Sequence, residues 1–151
     1  MPGKLNMVKL CVGAHRIDDL IDWQNSRRDL RLSQGLDPRP RHVTRMRPKR
    51  ADELLDGGSL YWVIKGNIMV RQRIEGLEEQ IGEDGIRKCG LVLDPQLYRT
   101  ATRRKRAFQG WRYLTGTDAP RDIGLAHQSP DDIPVWLADE LDGLGIVSLS
   151  E

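Results

Sequence analysis

Twelve of the 24 Lys and Arg residues fall in two tracts that contain no acid. The first comprises Arg39, Arg41, Arg45, Arg47, Lys49 and Arg50; the second comprises Arg99, Arg103, Arg104, Lys105, Arg106 and Arg112. Fixed cations at this density suit phosphate neutralisation, in which released counterions supply affinity and make it fall steeply with salt. Aromatic residues lie close by. Trp111 stands between Gly110 and Arg112, which suits an exposed ring on which a base stacks as well as a packed one. Trp62 sits inside the apolar run 60–64 and reads as core, as do Trp23 and Trp136 on apolar helix faces. The candidate nucleic-acid contacts are therefore Arg45, Arg47, Lys49, Lys65, Arg103, Arg104, Arg106, Trp111 and Arg112. The same tracts also read as solvated loops, or as docking sites for the acidic C-terminal region.

The other reactive side chains do not assemble a mechanism. His15, His42 and His127 are isolated, so a general base has no visible partner. Ser59 lacks the nucleophile-elbow pattern and has no His at readable spacing. Gly57-Gly58 is a plain turn, without the Lys of a phosphate-binding loop or the spacing of a dinucleotide fingerprint, so no cofactor is indicated. Cys11 and Cys89 each lie in an apolar run with no His at ligand spacing, which reads as two reduced core thiols and no metal site. Asp56 and Lys65 flank a glycine turn and read as an ion pair, or as acid and base of a nucleotide-processing enzyme with a pocket around Trp62.

The formal charge of +2 hides an asymmetry: from Tyr113 onward there are eight acids and one Arg, leaving +9 for residues 1–112. At 151 residues, 38% hydrophobic and 30% charged, the chain reads as one domain with a single core. No run approaches 18 apolar residues, and residues 1–13 make a poor export signal, so the expected compartment is the cytoplasm with no membrane partner.

Alternation predicts strands over 5–12, 42–47, 60–65 and 86–93, and a last one near 111–114. Helices are expected over 17–32, with a stripe of Ile17, Leu20, Ile21, Trp23 and Leu30, over 51–55, and after Ser129. Gly66-Asn67 predicts a hairpin or a bulge in a strand continuing through Ile74. The acidic stretch 75–84 predicts a loop, 97–102 strand or loop, and 116–128 irregular chain. Strands clustered between helices, without regular alternation, point to an α+β fold and away from a parallel doubly wound sheet.

The stretches HVTRMRPKRADELLDGGSLYWVIKG, GIRKCGLVLDPQLYRT and FQGWRYL resemble an uncharacterised bacterial family, domain-of-unknown-function family 1489, across most of the chain. That resemblance carries no activity. RPKRADELLDGGS is also similar to the entry of the ASCH barrels, and YWVIK to a Tyr-Trp strand of EVE domains, both members of the PUA-like group. This second resemblance implies a small, mostly antiparallel PUA-like β-barrel with flanking helices that binds RNA or a modified nucleotide. The ASCH pattern of Gly, Lys, Glu and Arg breaks at Ser59, and no acid follows until Glu75, which argues against ASCH-type hydrolysis. The expectation is an RNA- or modified-nucleotide-binding module; the alternatives are the nucleotide-processing enzyme and a protein-interaction module.

Overall fold

A computed structural model describes residues 4–126. The helix expected after Ser129, with Trp136, and His127 lie outside the described residues. Within them, eight strands and two helices follow in the order β1 (Leu5–Leu10), α1 (Ile17–Ser33), β2 (Arg41–Thr44), α2 (Ala51–Leu55), β3 (Ser59–Ile64), β4 (Asn67–Ile81), β5 (Arg87–Leu93), β6 (Tyr98–Arg104), β7 (Trp111–Thr115) and β8 (Asp122–Leu125). The fold is α+β, with one sheet ordered β2-β5-β4-β3-β1-β7 and with β6 joining β4 to β8. All its pairings are antiparallel except β1 with β3. Among the described residues, the backbone pairings do not close the sheet into a ring.

The centre of the sheet is β3, whose six residues are all buried. Its side chains alternate between two clusters: Leu60, Trp62 and Ile64 enter the larger core with Met7, Leu91 and Leu93, while Tyr61 and Val63 pack with Val8, Ile68 and Leu114. A strand covered on both faces reads as a continuous apolar run, which is why 60–64 stands out in the sequence. Lys65 and Gly66 both have positive φ, 50° and 79°, and form the two-residue hairpin turn from β3 to β4. Gly58 is required by crowding: a Cβ there would lie 2.3 Å from the Leu54 carbonyl oxygen and 2.6 Å from that of Leu5. Its N–H already donates to Leu54 O at 2.8 Å, so this turn offers no free amide from Gly58 to a phosphate.

Two segments differ from expectation. The acidic stretch after Ile74 is strand, since β4 continues to Ile81 and pairs with β5. Its acids resemble loop residues in sequence, but Glu78 and Glu79 face Arg41 of β2 and Arg87 of β5, and Glu75 faces Arg39 just before β2; opposite charges across strands stabilise pairing. The register shifts between Ile74 and Gly76, a bulge that bends the strand. The stretch 116–128 also contains a strand, β8, held on β6. Helix α1 buries Ile17 and Leu20, while Trp23 is 43% exposed and Leu30 57% exposed, so Trp23 is not core. At about 100° per residue, Gln24 shares the inward face with Ile17, Leu20 and Ile21, and Trp23 falls on the flank. Both cysteines are buried free thiols.

Candidate functional site

The two ends of the sheet path, β2 and β7, face each other. The Trp111 indole N–H donates to the Met46 carbonyl at 3.4 Å, and the Arg50 N–H donates to the Tyr113 hydroxyl at 3.1 Å. Between them runs a groove of about 870 Å³, lined by residues 43–46, residues 109–113 and Lys9. Trp111 and Tyr113 are alternate residues of β7 and meet edge to face, with ring centroids 4.9 Å apart. Arg45 is exposed, as are the apolar side chains of Val43 (42%) and Met46 (68%). The groove therefore joins a cation to apolar and aromatic surface.

Lys9 also lines a second, more enclosed cavity of about 230 Å³ between α1, β2 and β3, together with Cys11, Leu20, Trp23, Gln24, Arg27, Pro40, His42, Trp62 and Leu93. Its walls are held by a buried amide network. Gln72, fully buried, accepts from Trp62 Nε1 at 3.0 Å and from Gln24 Nε2 at 2.8 Å, and donates to Gln24 Oε1 at 2.7 Å and to the Asp94 carbonyl at 3.0 Å. All four of its hydrogen-bonding positions are used, which fixes the Gln24 amide and the Trp62 ring. His42 meets Trp62 edge to face at 5.0 Å, and its Nε2 is buried with no partner among the described residues. Burial, with smaller repulsion from Lys9 and Arg27, lowers the His42 pKa to about 4, so the ring is neutral at pH 7. Burial pushes the Cys11 thiol up to about 11, so it is no thiolate nucleophile.

The predicted contacts fall in three places. Arg45, Trp111 and Arg112 line the groove. The Arg112 side chain leaves β7 on the opposite face from Trp111, and its guanidinium lies 5.6 Å from the Phe108 ring centre. Arg47 and Lys49 are exposed beyond β2, and Arg47 shares with Arg45 a hollow of mixed charge containing Glu78, Glu79, Arg87 and Lys88. Lys65, Arg103, Arg104 and Arg106 cluster at the β3–β4 hairpin: Arg104 pairs with Asn67, and the Lys105 N–H donates to Gly66 O at 2.8 Å. β7, β1, β3, β4 and β6 are successive neighbours, so Trp111 and Arg104 lie four strands apart along the curved sheet, toward the same end of it.

Several cations of the two tracts are already engaged. Arg39 pairs with Asp37 at 2.6 Å, Arg41 with Glu78 at 2.7 Å, Arg50 with Glu53, and Arg103 with Asp118 at 3.9 Å. Arg99 is half-buried, and its Nε has no partner among the described residues. No carboxylate pairs with Arg45, Arg47, Lys49, Lys65, Arg104, Arg106 or Arg112 among the described residues. Asp56 and Lys65 do not meet: they lie beyond opposite ends of β3, a strand of six residues and so about 20 Å long. The acid/base pairing read from the sequence is thereby overturned. Sequence reasoning missed Lys9, Trp23, Gln24 and Gln72; the signal for the last three was an amide or Trp interrupting an apolar pattern, and for Lys9 a cation within the alternating strand β1.

Among the described residues, no three His, Cys, Asp or Glu side chains converge on a point that would hold a metal ion, and no helix is long and apolar enough to cross a membrane. No curated protein and no solved structure matches the chain. A family model described as "Protein of unknown function (DUF1489)" matches residues 7–147.

Proposed function

The chain belongs to the family described as proteins of unknown function (DUF1489), and from its site we propose that it is an RNA- or modified-nucleotide-binding module of PUA-like architecture, acting in the cytoplasm. The observation that carries the reading is the groove in which Arg45 and Lys9 flank the half-exposed Trp111. A cation with no carboxylate partner among the described residues, beside an aromatic ring, serves single-stranded nucleic acid twice: the cation takes a phosphate, and the ring takes a base. Lys65, Arg104 and Arg106, in and beside the β3–β4 hairpin toward the same end of the sheet, add further cations that pair with no carboxylate among the described residues. The ASCH-like entry sequence and the meeting of β2 with β7 support an open PUA-like barrel whose seam is the groove.

The test is a filter-binding titration of single-stranded RNA at two salt concentrations. Affinity that falls as salt rises, and falls further on Trp111→Ala, is the expected result. Absent affinity at low salt, or affinity indifferent to salt, overturns the proposal. The enzyme alternative loses its acid/base pair with the separation of Asp56 from Lys65.

A further inference from the structure

We propose that the cavity between α1, β2 and β3 receives a single nucleobase, with the phosphate of the same nucleotide held by Lys9 and Arg27; this deepens the nucleic-acid reading and rests on it. Three rings bound the space, Trp23, Trp62 and His42, together with Leu20, Leu93 and Pro40. Such walls suit a flat apolar body. The charged residues in the lining are Lys9, Arg27 and Arg41, and no carboxylate is among them. Arg41 is engaged by Asp37 and Glu78, which leaves Lys9 and Arg27 to meet an incoming anion.

Size and polarity narrow the ligand. At about 230 Å³ the cavity is below the roughly 300–1,000 Å³ of sites for drug-sized molecules, so it takes one ring system and leaves the sugar and phosphate outside. A free phosphate would leave the rings unused, and a neutral base would leave the two cations unmatched. A nucleoside monophosphate unit uses both. Gln24 spends one N–H and one lone pair on Gln72 and retains one of each for the edge of a base. Trp23, on the exposed flank of α1, supplies a face on which the base stacks. Lys9 lines this cavity and the groove alike, so a strand lying in the groove passes the cavity mouth and turns one base into it.

Calorimetric titration of the full chain with the four ribonucleoside 5′-monophosphates, their nucleosides and inorganic phosphate tests this. At least one monophosphate should saturate, with the nucleoside and phosphate weaker by roughly tenfold or more. Trp23→Ala should weaken it by roughly tenfold or more, as loss of a stacking ring does. Arg27→Ala, an exposed position on α1, should bring the monophosphate toward the affinity of its nucleoside. Inorganic phosphate binding as tightly as a monophosphate, or indifference to both substitutions, overturns the proposal. RNA binding that Arg45→Ala weakens, without monophosphate binding at millimolar concentration, refutes the cavity and keeps the groove. Monophosphate binding with the expected Trp23→Ala and Arg27→Ala losses, but no RNA affinity, does the reverse.

Discussion

Arg41 and Arg45 stand four residues apart, the first opening a short strand and the second just past its end. Arg41 has a side chain only 13% exposed, donates from Nε to Glu78 at 2.7 Å and lies 3.4 Å from Asp37. Arg45 lines the open groove and forms no ion pair among the described residues, although it also borders the hollow that holds Glu78 and Glu79. Their intrinsic chemistry is identical. The difference comes from β4: its bulge near Gly76 and pairing with β5 bring Glu75 and Glu78 to the stem of the first tract. Gly90 of β5 lets the β4 side chains lie across it: a Cβ there would lie 2.7 Å from Gln80 Nε2 and 3.1 Å from Glu78 Cγ. Arg71 is the extreme case, 6% exposed, with two bonds to Asp122 at 2.7 and 2.6 Å and one to Ser59 Oγ at 2.8 Å. Position, more than charge count, separates cations that hold the fold from cations that stay open.

Substitutions should sort along that gradient. Arg71→Leu should cost most, about 3–5 kcal/mol of stability in denaturant unfolding, because Asp122 and Ser59 lose their partner inside the fold. A loss below about 1 kcal/mol would place Arg71 with the surface cations. The next effect is in pH. The folded pKa of His42, about 4, lies below its ordinary 6.5, so the unfolded chain binds more protons between those values. This contribution is fully present above pH 6.5 and fades as pH falls toward 4, by up to about 3 kcal/mol. His42→Gln should flatten the fall in melting temperature between pH 6.5 and 4.5; an unchanged slope would show that the ring titrates normally.

Binding effects are smaller. Arg45→Ala should weaken single-stranded RNA and reduce the salt slope by about 0.7, the share of one phosphate contact. Glu78→Gln should act oppositely and more weakly, partly freeing Arg41 and raising affinity a few-fold at low salt. Arg39→Ala should change affinity least, less than about twofold, because Asp37 and Glu75 already hold that guanidinium. If Arg39→Ala matched Arg45→Ala in the same titration, the distinction between engaged and open cations would fail.

Local signals carried much of the architecture. The run 60–64 reads as strand because β-branched and aromatic residues covered on both faces leave no polar interruption. Ala51–Leu55, closed by the glycine pair, stands where its helical spacing puts it. The extension of β4 was hidden because Glu75, Glu78 and Glu79 are polar in sequence and become strand residues only opposite arginines from elsewhere. Trp23 read as core because its neighbours are apolar, although the sheet takes the face containing Gln24. Trp111 read equally as platform or core, and it serves as a groove wall that also touches the core.

The amino-acid order by itself determined the two basic tracts, the buried central strand, the glycine turns and the family, since each depends on residue identity and near neighbours. Which cations stay open, that Lys9 belongs to two cavities, and that Gln24 and Gln72 lock 48 residues apart were decided only by the tertiary structure. Ion pairing and hydrogen bonding act over a few ångströms of space, and strand pairing alone sets which distant residues come that close.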